Sequence, residues 1–160
     1  SPGNLFLHRY PPLQKLKSEL LKLISGLIKS DAAAALGPWV GARISEGLEV
    51  ESAWSIRVSE QGFHVPHVHS KGWLSCVYYV AVPECVLDQG DDAVAGVLAL
   101  GRPGVDLPNP WAPDRLVSPK AGQLVVFPSY LWHETYPFKG LGQRVVIAFD
   151  LIPGAASAGQ

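Results

Sequence analysis

The sequence predicts an α+β fold, mainly β, in which an N-terminal helical layer packs against a sandwich or barrel of short strands. Apolar residues recur at helical spacing only in the segment from about 10 to 36, and from about 48 to 152 the pattern changes to period two. The chain also carries 14 prolines and 16 glycines in 160 residues, a load that suits short strands joined by many turns.

The helical layer comes first. Leu13, Leu16, Leu20, Leu23, Ile24, Leu27 and Ile28 fall on one face, with Lys15, Lys17, Glu19 and Lys22 on the other. Pro11 and Pro12 mark the start, so a helix is expected from about Leu13 to Lys29. A second helical piece is expected over Ala32–Leu36, where Gly37-Pro38 stops it. Strands are expected at Val50–Ser59, Leu74–Val82, Val94–Leu100, Gln123–Phe127 and Gln143–Leu151. Gly101–Pro119, with prolines at 103, 108, 110 and 113, reads as a long irregular loop, a candidate lid, with Trp111 as a wall for a substrate. Residues 154–160 read as a flexible tail, and residues 1–160 together as one domain.

Composition narrows the function classes. Hydrophobic residues make up 48% and charged residues 17%, which is globular rather than disordered. A net charge of −1 with no dense basic patch argues against nucleic acid as the main partner. No apolar run approaches the length needed to cross a membrane, and the N-terminus shows no signal-peptide pattern. Two cysteines make no disulfide framework, and Cys76 sits in an apolar run as a core residue, so a reducing cytoplasm is the expected location. The chain has no Met, even at position 1, which suggests a processed chain or part of a longer protein. Oligomeric state is open.

The chemistry concentrates in histidine. His67 and His69 stand at i and i+2, so on an extended chain they face the same side, about 6.5–7 Å apart, close enough to converge on one ion. His64 has the opposite parity and is not expected as a third ligand. His133 follows a strand that ends in Phe127-Pro128-Ser129, and Arg144 opens another apolar strand. An arginine in that position is costly unless it meets an anion. By alternation, Tyr78 should face away from Tyr79, and Glu134 away from His133. Trp54, Trp73 and Trp132 are expected in the core.

In this order, His67-Val68-His69, Ser75-Cys76-Val77-Tyr78-Tyr79, Phe127-Pro128-Ser129…His133 and Arg144 resemble the Fe(II)/2-oxoglutarate-dependent oxygenases. The similarity is greatest to a small bacterial and phage group with the signature H-x-H, S-x-V-Y-Y, F-P-S-x-x-x-H and R. It spans roughly Trp54 to Asp150. The resemblance implies a double-stranded β-helix, a cupin-like jelly roll with the N-terminal helix packed on its major sheet. It implies Fe(II) held by His67, His69 and His133, and 2-oxoglutarate as cosubstrate with its C5 carboxylate on Arg144 and Tyr79. The implied activity is hydroxylation of a small-molecule or protein side-chain substrate by O2, with release of succinate and CO2.

Two departures stand out. The usual iron triad is two histidines and a carboxylate, but the carboxylate position holds His69. Val146 stands two places after Arg144, where the family often has Ser. Two other readings stay open. One is a cupin-type dioxygenase with a three-histidine site, although Ser70-Lys71-Gly72-Trp73 lacks the usual cupin glutamate. The other is a barrel that binds a ligand without redox chemistry.

Overall fold

The protein is represented by a computed structural model that describes residues 4–30, 47–87, 94–105 and 111–154. The expected helix over Ala32–Leu36, and the tail beyond residue 154, lie outside the described residues. After a single 3-10 turn at Leu5–Leu7 comes helix α1, Pro11–Ile28, close to the expected span. Pro11 and Pro12 occupy its first turn, where a missing backbone N–H costs nothing. A short helix, α2, covers Glu84–Leu87.

Among the described residues eight strands follow in chain order: β1 Leu48–Val58, β2 His64–His67, β3 Leu74–Ala81, β4 Leu98–Leu100, β5 Arg115–Val117, β6 Leu124–Pro128, β7 His133–Thr135 and β8 Arg144–Pro153. One sheet has the order β1-β8-β3-β6 and the other β2-β7-β4-β5. Antiparallel pairs join β1 with β8, β2 with β7, β3 with β6 and β4 with β5, and β3 with β8 and β4 with β7 complete the two sheets. Nested pairing of this kind is a long hairpin wound into two facing sheets, the double-stranded β-helix of jelly-roll proteins.

Strand parity decides what each layer contains. On β8, the odd residues Ile147, Phe149 and Leu151 pack with Leu74, Cys76 and Ala53 against Leu20 and Ile24 of α1. This is the helix-on-sheet layer, with Leu20 2% and Ile24 0% exposed. The even residues of β8 face the second sheet. Both faces of β8 are covered, so six consecutive residues from Val146 to Leu151 are buried, and Val145–Phe149 reads as an apolar run without alternation. Between the sheets, Leu98, Leu100 and Phe127 pack with Val77, Val117, Val125 and Leu131. A third cluster, Val58, Val86, Ala95 and Phe138, lies beside Arg144, the register partner of Val58.

Three expectations need correction. The strand expected at Val94–Leu100 covers only Leu98–Leu100, because residues 94–96 form a turn in which Gly96 takes φ +67°. The loop expected over Gly101–Pro119 contains β5, whose Arg115, Leu116 and Val117 pair with Leu100, Ala99 and Leu98. Strands β2 and β7 were not anticipated, being too short for periodicity to register.

Candidate metal centre

The second sheet positions the histidines. His67 on β2 and His133 on β7 are register partners, and Leu100 of β4 lies opposite His133. His69 stands just beyond β2, where its N–H donates to the Ser129 carbonyl at 3.0 Å. One ring nitrogen from each of His67, His69 and His133 lies within 4.8 Å of the other two. The ring centroids are separated by 5.2 Å (67 to 69), 4.2 Å (67 to 133) and 4.9 Å (69 to 133). His64 and Glu134 are not members of this cluster. Glu134 instead takes a paired hydrogen bond from Arg102, Nε to Oε1 and Nη2 to Oε2, both at 2.6 Å, as alternation along the strand requires.

Hydrogen bonding fixes which nitrogens are available. His67 Nδ1 lies 2.7 Å from the Val65 carbonyl, and His133 Nδ1 lies 3.0 Å from the Leu131 carbonyl. His69 Nδ1 lies 2.8 Å from Asp150 Oδ1. Carbonyl and carboxylate oxygens only accept, so each Nδ1 must carry the proton and each Nε2 keeps its lone pair. Protonated Nδ1 with a free Nε2 is the tautomer in which imidazoles bind metal ions, oriented from behind by an acceptor. Burial pushes the His133 imidazole down to about 4, with the neighbouring His67 and His69 acting in the same direction. Its neutral form, the one that coordinates metal, therefore prevails at neutral pH. The donor set fits a divalent transition metal such as iron.

Behind His69 sits a buried polar chain. Asp150 Oδ1 also accepts from Ser75 Oγ at 2.7 Å, and Ser75 Oγ lies 2.9 Å from Ser129 Oγ. Ser75, Ser129 and Asp150 are 2%, 0% and 5% exposed. Gly72 leaves room for this chain, since a Cβ there would come within 2.5 Å of Ser129 Oγ and 3.0 Å of Asp150 Cβ. Sequence reading gave Asp150 no role, yet it shares the parity of Arg144, Val146 and Ala148 on β8. Counting along the strand would have placed it on the inner face.

The histidine cluster opens on a cavity of about 300 Å³ between the sheets, walled by Val77, Leu98 and Phe127 among others. That volume is at the lower end of the range for small-molecule sites. Arg144 and Tyr79 line the same cavity and are 2% and 1% exposed. Arg144 Nη1 donates to the Gly96 carbonyl at 2.6 Å and Nη2 to Thr135 Oγ1 at 3.1 Å. Among the described residues no carboxylate forms an ion pair with it. Desolvation lowers the Arg144 pKa, while nearby Tyr79 acts to raise it. Burial pushes the Tyr79 phenol up to about 12, so it remains a hydroxyl donor.

Other expectations fare differently. Tyr78 packs on the helix side, opposite Tyr79. Trp54, expected in the core, is half-buried and lines the cavity with its ring 5.5 Å from that of His69. Trp73 and Trp132, also expected in the core, line a separate hollow that includes His69. Trp111, the expected substrate wall, is 59% exposed and does not line the cavity. His64, assigned by parity to the opposite face, lines the cavity as well. The cause is an irregularity in the β2–β7 ladder: His64 pairs with Thr135 and His67 with His133, so three steps on one strand oppose two on the other.

Residues 52–150 match the sequence family described as "Putative 2OG-Fe(II) oxygenase". That span is more than half of the chain, and the protein belongs to this family, whose cofactors are Fe(II) and 2-oxoglutarate. No curated protein matches the sequence. Among solved structures, the chain is similar to an oxidoreductase of the 2OG-Fe(II) oxygenase family from Burkholderia pseudomallei, at 12% identity and a TM-score of 0.57 over 92% of this chain. It spans 60% of the length of that protein. It is also similar to apo HygX from Streptomyces hygroscopicus, at 12% identity and a TM-score of 0.50, covering 89% of this chain and 77% of that one. At these identities the likeness concerns the fold. No described helix is long and apolar enough to cross a membrane.

Proposed function

We propose that the protein is a hydroxylase in which His67, His69 and His133 hold Fe(II) through Nε2, while Arg144 and Tyr79 receive the distal carboxylate of 2-oxoglutarate. Bound there, iron and 2-oxoglutarate supply an O2-dependent oxidation of a substrate C–H bond, with succinate and CO2 as the other products. The substrate is a small molecule or a protein side chain, and the two free thiols suit a reducing cytoplasm.

The observation that carries this reading is the pairing of two poles in one cavity: three imidazoles with free Nε2 lone pairs, and a buried guanidinium with no carboxylate partner among the described residues. Thr135, which accepts from Arg144, stands two residues from His133 on β7, a rise of about 6.8 Å along the strand. A five-carbon dicarboxylate has a comparable length. Arg144 can bond both oxygens of a carboxylate, and Tyr79 can add a hydroxyl donor. Apolar side chains such as Val77, Leu98 and Phe127 line the space between the poles.

The test is anaerobic titration of the Fe(II)-loaded protein with 2-oxoglutarate, read by the visible metal-to-ligand charge-transfer band. A saturable band is expected, absent in His133→Ala and requiring much higher 2-oxoglutarate in Arg144→Ala. Iron bound without a band would favour the three-histidine cupin-type dioxygenase, in which Arg144 has no evident task. Absence of metal binding would leave a ligand-binding barrel without redox chemistry.

A further inference from the structure

His64 lines the cavity together with Arg144, and hydrogen-bond accounting around Thr135 fixes the tautomer of its ring. Thr135 Oγ1 accepts from the His64 backbone N–H at 3.0 Å and from Arg144 Nη2 at 3.1 Å. A hydroxyl oxygen has two lone pairs and one proton. With both lone pairs engaged, the remaining contact, 3.0 Å between Thr135 Oγ1 and His64 Nδ1, must use the hydroxyl proton, with Nδ1 accepting. A neutral ring that accepts at Nδ1 carries its hydrogen on Nε2. His64 therefore has the tautomer opposite to that of His67, His69 and His133. Those three keep a lone pair for a metal, whereas His64 offers an N–H.

Location supports a separate role. The His64 ring lines the same cavity as Arg144, its centroid is 6.4 Å from that of His67, and it lies outside the cluster of converging ring nitrogens. Burial lowers the pKa of the imidazole, and Arg144 and then His67 lower it further, so the ring stays neutral beside the guanidinium. A neutral donor can sit next to Arg144 where a second cation would be repelled.

We propose that His64, through Nε2–H, donates a hydrogen bond to the cosubstrate carboxylate that Arg144 receives, and so selects a dicarboxylic 2-oxoacid over a monocarboxylic one. This rests on the function proposed above. Thr135 couples the two donors by fixing the His64 tautomer and holding one arm of Arg144.

The test measures dissociation constants from the Fe(II) protein, without oxygen, for 2-oxoglutarate and for 2-oxopentanoate, which lacks the distal carboxylate. His64→Ala is expected to weaken 2-oxoglutarate about 10- to 100-fold, the range for one hydrogen bond to a charged group, while leaving 2-oxopentanoate within about 2-fold and iron binding intact. Unchanged 2-oxoglutarate affinity, or equal losses for both acids, would overturn the proposal. Should the variant fail to fold, long-range 1H–15N spectra of the wild-type protein decide instead. Protonation of His64 at Nε2 is expected, and protonation at Nδ1 would refute the role. If Arg144→Ala weakens 2-oxoglutarate while His64→Ala does not, only this proposal fails. If the wild-type protein gives no band, the functional reading itself fails.

Discussion

Asp150→Asn removes one charge from the shell behind His69 while keeping the shape of the side chain. Asp150 Oδ1 accepts from His69 Nδ1 at 2.8 Å and from Ser75 Oγ at 2.7 Å, and an amide oxygen in the same place can still accept both. What is lost is the anion, which raises the basicity of the imidazole that it backs. Removing such a partner of a metal-bound histidine costs about 10- to 100-fold in metal affinity, or about 1.4–2.7 kcal/mol. The expected result is a loss within that range on chelator-competition titration with Fe(II) or Co(II), with the melting temperature of the metal-free protein nearly unchanged. Asp150→Ala differs, because it strands the Ser75 hydroxyl and the His69 N–H in a buried setting, at about 1–3 kcal/mol each. That variant is expected to lose several kcal/mol of fold stability as well as metal affinity. Should Asp150→Asn bind metal within 3-fold of wild type, the carboxylate would have no electrostatic role at the site, and the argument would fail.

Two further outcomes test other parts of the structure. Burial depresses the His133 pKa to about 4, from the ordinary histidine value of about 6.5. The unfolded chain therefore takes up a proton between these limits and the folded chain does not, so the metal-free protein should lose about 3 kcal/mol as pH falls from about 6.5 to 4. Denaturant titrations across that window check this, and a His133→Asn variant with the same slope would refute it. Ile24, 0% exposed on the sheet-facing side of α1, is expected on truncation to Ala to cost about 2–5 kcal/mol, which calorimetry would register as a melting-temperature drop of about 5–15 °C. A loss below about 1 kcal/mol would mean that the helix is not part of the cooperative core.

Much of the fold was readable because long elements average over local exceptions. The stripe from Leu13 to Ile28 gave α1, and the apolar runs of β1, β3 and β8 gave the major sheet. The second sheet was harder, because β4, β5 and β7 have three residues each, too few to display a period. Parity reasoning separated Tyr79 from Tyr78 and kept Glu134 out of the histidine cluster, although Glu134 lines the same cavity as His133. It failed at His64, where Val65-Pro66 stands within the ladder irregularity and one extra residue reverses the side on which the next histidine emerges. Proline lacks a donor, so a ladder interrupted there is physically expected. Asp150 was overlooked for a different reason: it follows the apolar run Val145–Phe149, and although parity along β8 places it on the inner face, nothing local shows that it backs a histidine.

The substitution of His69 for the family's carboxylate becomes intelligible when the charges of the whole cavity are counted. On the proposed reading, a divalent iron and a dianionic cosubstrate cancel, and the Arg144 guanidinium is offset in net charge by the Asp150 carboxylate behind His69. The assembled site is then neutral, as a buried site should be. A carboxylate at position 69 would stand against Asp150 at the distance now spanned by the 2.8 Å hydrogen bond. Two carboxylates that close cannot both stay ionised without a strong penalty. The imidazole removes that conflict: it transmits part of the Asp150 charge through its ring to Nε2 while satisfying the carboxylate with a proton. On this argument the residue at 69 and the residue at 150 form one unit, and either is understood only with the other in view.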